Sequence, residues 1–253
     1  MLNYSKRFSY VLFSGEASSL HRLSGSVRRM AMASLSNLSK FLGVHGKWKR
    51  IVEAYGLKWS SGKAEDFLLS RMANTKDADS ILDWVRQVKA KIPQLSLFMN
   101  FMLLTGLRLK EAVNSWNLIV DLAEAGRLSE YYDREKEVLE HYKFKKVFIR
   151  RSKKVFVSFV PERLIEEISK QGKLTIYQIN NWVRRDNKLK SRFGDLREFW
   201  ATFMTRYLTT AEIDFLQGRV GASIFMRNYF NPALITDLKE RVFKGLAELQ
   251  SRL

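Results

Sequence analysis

Residues 95–112 read LSLFMNFMLLTGLRLKEA. The first part, Ser96–Leu104, is apolar on every side, the composition of a helix buried within a domain rather than lying on its surface. It is too short to span a bilayer, and Ser96 and Asn100 interrupt its apolar run. Gly106 breaks the pattern. Helical periodicity resumes at Arg108 and runs to Ala125, with Gly126 as the stop. Taken alone, Gly106-Leu107-Arg108 is a helix start carrying an exposed arginine.

On the N-terminal side, the segment Asp79–Lys91 has helical spacing and ends ahead of Pro93, because the residue before proline disfavours helix. The polar run Asn74–Asp79 marks a boundary, so the chain is expected to divide into residues 1–78 and 79–253. Within the first part, Met30, Leu35, Leu38, Phe41 and Leu42 recur at helical spacing and Gly43 stops them. Shorter helices are expected over Trp48–Tyr55 and Ala64–Met72.

On the C-terminal side, residues 144–160 (FKKVFIRRSKKVFVSFV) change character. Two runs of Val, Ile and Phe flank a basic centre, the pattern of a β-hairpin, although the turn has no Asn-Gly or Asp-Gly. Helices then return. Asp195 is a candidate cap for Leu196–Leu208. Thr209 with Glu212 forms a capping box for a helix that ends at Gly218. Asn231 and Pro232 are placed to open a last helix. The fold class expected is mainly α with one small β-hairpin or sheet.

The chain has 253 residues with 44 Lys plus Arg against 26 Asp plus Glu, a formal net charge of +18. The excess is shared, +6 over residues 1–85 and +12 over residues 86–253, so it is not a basic tail. Such a surface attracts polyanions, of which nucleic acid is the commonest; neither a membrane nor a nucleotide partner is expected. Cysteine is absent, which excludes disulfides, thiol chemistry and zinc ribbons. The three histidines, His21, His45 and His141, are scattered without metal spacing, and a structural role is expected for each. No signal peptide pattern opens the sequence, so a cytoplasmic location is expected. Lys143–Lys154 contains seven basic residues and no acidic one. Interleaved with a β pattern, they suggest a ribbon laid against DNA, with Lys145, Lys146, Arg150, Arg151 and Lys153 as contacts. A second basic stretch, Arg184 to Arg192, suits contacts to the phosphate backbone.

Three segments in order carry a resemblance. Thr105-Gly106-Leu107-Arg108-Leu109-Lys110-Glu111 is similar to the TGLR-x-x-E signature of tyrosine recombinases. Leu196-Arg197-Glu198-Phe199-Trp200-Ala201-Thr202 is similar to the LR-x-x-x-A-T part of their HxxR box. Leu216-Gln217-Gly218-Arg219, followed ten residues later by Tyr229, resembles their L-G-H box and nucleophilic tyrosine. The hairpin lies where that family keeps a catalytic lysine. The resemblance covers roughly residues 95–230. With arginine in the later histidine position, it is nearest to the integrases of archaeal viruses and plasmids. Gly194 departs from the pattern, standing where the box has histidine. Arg192 and Lys190 are the cations considered for the same space.

The resemblance implies a helical core-binding domain over residues 1–78 and a catalytic domain over 79–253, together clamping duplex DNA. Integrases of this kind often carry a further N-terminal module. The implied activity is site-specific recombination through a 3′-phosphotyrosyl intermediate on Tyr229. Arg108, Arg197 and Arg219 would bind the phosphate. Lys154, with Lys153 the close second, would protonate the leaving oxygen. Guanidinium forks suit the extra charge on the phosphate in flight, and clustered cations favour an ionised phenol. The bond energy is conserved in the phosphotyrosine, so no cofactor and no metal are expected. DNA relaxation of the type IB topoisomerase kind, and DNA binding without catalysis, are the alternatives. A homo-tetramer on DNA is also implied. The stripe Leu234, Leu238, Val242, Leu246, Leu249 and Leu253 is expected to dock on a neighbouring protomer.

Overall fold

The computed structural model describes residues 2–59, 69, 78–150, 153–185, 189, 192–219 and 230–253. The helix expected over Ala64–Met72 lies outside them apart from Leu69. The chain forms two compact units, Met1–Lys76 and Asp77–Leu253.

In the first unit, α1 (Leu2–Phe8), α2 (Tyr10–Ser14), α3 (Ser18–His21), α4 (Gly25–Phe41) and α5 (His45–Ala54) enclose a small core. Val11, Leu20, Ala31, Met32, Leu35 and Trp48 are buried there. The inward face of α4 is therefore rotated from the expected one: Met30, Phe41 and Leu42 are exposed. Gly43 ends this helix with a φ of 71°.

The second unit is built around α7 (Ser96–Thr105), in which Phe98, Met99, Phe101, Met102 and Leu103 have no solvent contact. Against it lie α6 (Ala78–Lys91), α8 (Leu109–Glu124), α10 (Glu162–Ser169), α12 (Phe193–Met204) and α14 (Leu238–Ser251). The short α9 (Lys145–Phe148), α11 (Ile176–Arg185) and α13 (Thr210–Leu216) complete the helices described. No helix among the described residues is long and apolar enough to cross a membrane.

The β structure differs from the expected hairpin. It is a three-stranded antiparallel sheet of two-residue strands, β1 (Tyr132–Asp133), β2 (Val138–Leu139) and β3 (Ser158–Phe159), in the order β1-β2-β3. The first arm of the expected hairpin is instead the helical turn α9. Only the tip persists, with Ile149 bridged to Lys154, the Arg150 amide donating to the Lys153 carbonyl at 3.0 Å, and the Val155 amide to that of Phe148 at 3.2 Å. The physical reason is burial: Phe148 turns inward onto Tyr131 and His141, and a helical turn points it there.

Beneath this tip a polar chain is sealed in the core. The Tyr131 hydroxyl meets Ser115 Oγ at 2.8 Å and His141 Nδ1 at 2.6 Å, and His141 Nε2 meets Ser158 Oγ at 2.9 Å. Burial pushes the His141 imidazole down to about 3, so the ring is neutral in the folded protein. The unfolded ring titrates near ~6.5, so between these values the unfolded chain binds the extra proton. Stability is thus full above ~6.5 and falls as pH drops below it, by up to ~1.4 kcal/mol per pH unit. Urea midpoints at pH 7.5, 6.0 and 5.0 should show this loss. In His141→Gln the midpoint should be lower throughout, and the slope between pH 6.5 and 5 should be smaller. An unchanged slope would clear His141 as its source.

Three further expectations are corrected at the C-terminal end. Asp195 does not cap its helix; α12 begins at Phe193, and Asp195 lies in its first turn with Arg192 as the capping position. Asn231 and Pro232 open only a short 3-10 turn, and α14 starts at Leu238. The leucine stripe does not wait for a neighbour. Leu238, Val242, Leu246 and Leu249 are buried in the core of their own unit, while Leu234 is 78% exposed. Gly245 lets α14 approach so closely that a Cβ there would lie 2.7 Å from the Met204 sulfur. Arg241 grips the carboxylate of Glu212 with both terminal nitrogens, at 2.9 and 2.5 Å. That pairing holds the Glu212 carboxyl down to about 2. Docking in cis wins because this one face is already covered. Leu249→Ala should cost ~2–5 kcal/mol in chemical denaturation, against ~0.5 or less for Leu234→Ala. Comparable losses at the two positions would contradict packing in cis.

Candidate phosphate-binding site

The break between α7 and α8 supplies the site's frame. Gly106 leaves α7 with a φ of 59°, and a Cβ there would lie 2.7 Å from the Trp200 ring. This tight fit exposes two carbonyls to α12. Trp200 Nε1 donates to Leu104 at 2.9 Å, and Arg197, one turn earlier, donates from Nη1 to Gly106 at 2.9 Å.

Arg197 is 8% exposed and reaches further. Its Nη2 donates to the Gln217 carbonyl, while the Gln217 side chain donates back to the Arg197 carbonyl at 3.0 Å. One buried guanidinium thus joins the α7–α8 break to the end of α13. Burial first, then the nearby Arg108 and Arg219 guanidiniums, push the Arg197 guanidinium down to about 10, with Glu111 working in the opposite direction. It remains a cation at neutral pH, with two further guanidiniums and one buried carboxylate nearby.

Arg108 is the residue ahead of α8. Glu111, in the first helical turn, is 1% exposed. Its Oε2 accepts the Arg108 amide at 3.2 Å and its Oε1 accepts Arg108 Nη1 at 2.6 Å. Arg150, from the tip of the 149–154 turn, donates Nη2 to the same Oε1 at 3.3 Å. In the sequence Glu111 stands out only as the last residue of the TGLR-x-x-E segment; a glutamate three residues after the helix start is also the signal that its carboxylate accepts the amide of the capping residue.

The end of α13 closes the arrangement. The Thr209–Glu212 capping box forms as expected. After the helix, Gly218 turns with a φ of 62° and the Arg219 amide returns to the Asp214 carbonyl at 2.7 Å, a Schellman turn. Gly218 sits so close to the 149–154 turn that a Cβ would fall 1.8 Å from the Lys154 carbonyl oxygen. Beside this contact Phe156 stacks on Phe215 at 5.8 Å, and Phe215 meets Phe230 at 5.6 Å. Arg219 is about half exposed, and among the described residues it pairs with the Asp214 carboxylate at 3.9 Å.

Arg108, Arg197, Arg219, Arg150 and the Lys154 backbone are therefore brought together. Among the described residues no side chain pairs with the ammonium of Lys153 or Lys154. Lys145, Lys146 and Lys153 are exposed. Arg192 is not free for DNA: its guanidinium is taken up by Asp195 at 2.9 Å and by the Ser80 carbonyl at 2.9 Å. Gly194 is exposed, with open space where a side chain would start. Arg151, Lys190 and Tyr229 lie outside the described residues. Among the described residues no group of three or more His, Asp or Glu could hold a metal ion.

A family model described as archaeal phage integrase matches residues 73–242, two thirds of the chain. The chain belongs to that family. Comparison with curated proteins and with solved structures returned no match. An integrase acts on DNA, and a cluster of guanidiniums that outnumbers its carboxylates, Glu111 and Asp214, suits the phosphate of that substrate. The geometry makes one position of the integrase diagnostic. Gly218→Ala places a methyl group against a backbone oxygen at a positive φ. Strain alone costs about 1–2 kcal/mol. The variant should unfold earlier in a thermal scan and lose DNA cleavage more completely than its lost stability explains. Wild-type cleavage by this variant would separate the Lys154 contact from function.

Proposed function

We propose that this integrase cuts and rejoins DNA by transesterification through Tyr229. The Tyr229 oxygen attacks the scissile phosphorus, forming a 3′-phosphotyrosine, and the bond to the 5′ oxygen breaks. Arg108, Arg197 and Arg219 donate to the nonbridging oxygens as negative charge grows on them. Lys154 supplies the proton that the departing 5′ oxygen needs, with Lys153 its neighbour in the same turn. Reversal by a 5′ hydroxyl from another duplex completes recombination, and no external energy source enters the balance.

One observation carries this reading: the buried Arg197 guanidinium spans the carbonyls of Gly106 and Gln217, so segments far apart in sequence share one cationic site. The aromatic stack adds support, because Tyr229 directly precedes Phe230, whose ring lies against Phe215 two residues before Gln217. The first unit, with its own basic excess, is proposed as the core-binding part. Lys145, Lys146, Lys153 and Arg151 are proposed as backbone contacts, and assembly into a tetramer on DNA remains part of the proposal without a role for the buried leucine stripe.

A DNA duplex nicked so that the released strand diffuses away should trap the covalent adduct on denaturing gels. Tyr229→Phe should abolish the adduct while leaving DNA binding nearly unchanged, since one hydroxyl is lost. Arg108→Ala should slow adduct formation at least ~100-fold, the scale for one preorganised donor. Adducts from the Phe variant would dismiss Tyr229, and a wild-type protein that binds but never forms an adduct would favour the non-catalytic reading. Adducts accompanied by relaxation but no joining of two duplexes would favour the topoisomerase-like one.

A further inference from the structure

Arg108 and Arg150 end on the same oxygen of one carboxylate. Glu111 carries one negative charge, is almost fully buried, and is satisfied by Arg108 alone through both the amide and the guanidinium. The bonds are unequal. Arg108 sits at 2.6 Å, at the short limit of a charge-assisted bond. Arg150 sits at 3.3 Å, beyond the usual range even for neutral groups. Its Nε is buried and has no hydrogen-bond partner. A buried guanidinium donor without an acceptor is unfavourable, and an arriving acceptor relieves it.

We propose that Arg150 is a further catalytic residue, moving from Glu111 onto a nonbridging oxygen of the scissile phosphate when DNA binds. The inference rests on the transesterification reading above and adds to it a fourth guanidinium. The two arginine nitrogens on Glu111 Oε1 can be no farther apart than their two bonds laid end to end. That span suits a phosphate, whose two nonbridging oxygens each need a donor. The reach is also built in: the Arg150 amide is tied to the Lys153 carbonyl, so Arg150 shares the turn that carries Lys154. Glu111 is then the positioning residue. It keeps Arg108 throughout and holds Arg150 loosely until the phosphate, with its greater charge in the transition state, outcompetes it.

The test pairs a conservative variant with a substrate of altered charge. Arg150→Gln keeps an amide donor for Glu111 and most of the side-chain stem, but removes the cation. Single-turnover cleavage is measured on a suicide duplex with the natural phosphate and on one whose scissile phosphate is a methylphosphonate, which lacks the negative charge. Arg150→Gln should cleave the natural duplex about 100-fold more slowly than wild type and the methylphosphonate within about 10-fold of it. Wild-type rates on the natural duplex would overturn the proposal. So would an equal defect on both substrates, the signature of a residue that only steadies Glu111. Failure of the transesterification reading looks different, since the wild-type protein would then form no adduct with either duplex. If Arg150→Gln melts below the assay temperature, Arg150→Lys is used: a point charge without the fork should recover only part of the natural rate, and full recovery would again overturn the proposal.

Discussion

The second unit depends on the burial of one cation. Arg197 lies nearly out of solvent, and its desolvation is offset by main-chain carbonyls from two distant segments. Carbonyl dipoles stabilise a guanidinium without neutralising it. The protein therefore keeps a net positive centre in its interior, which a carboxylate partner would have cancelled. That residual charge is what a phosphodiester can use. The apolar α7, the glycine break after it, the approach of α12 and the turn after α13 all serve to bring those two carbonyls to one place.

Much of this was legible in the sequence because it follows from local rules. The all-apolar run of α7, the stops at Gly106 and Gly126, the Thr209–Glu212 cap and the positive turn at Gly218 each follow from a few adjacent residues. The candidate arginines were legible from their segments. What was not legible depends on contacts made at a distance. Residues 144–148 have β composition, yet the pull of Phe148 onto Tyr131 and His141 makes them a helical turn. The leucine stripe of α14 showed that a face would be covered, but periodicity is the same whichever surface covers it. Arg192 looked like one more basic contact because its engagement with Ser80 joins residues more than a hundred positions apart.

The frame of the site is written mostly in backbone. Arg197 and Trp200 bind carbonyls, Gly106 and Gly218 are needed for what they lack, and Lys154 meets Gly218 through its main chain.

The meeting of Gly218 with the Lys154 carbonyl has a mechanical consequence. Two main chains in direct contact have no side-chain slack between them, so strain in one is transmitted to the other. The lysine turn and the turn carrying Arg219 then behave as a single lever. If the lysine turn swings when duplex DNA enters, Arg219 swings with it. On the roles proposed for Lys154 and Arg219, proton delivery to the leaving oxygen and charge neutralisation at phosphorus would then be coupled through this contact.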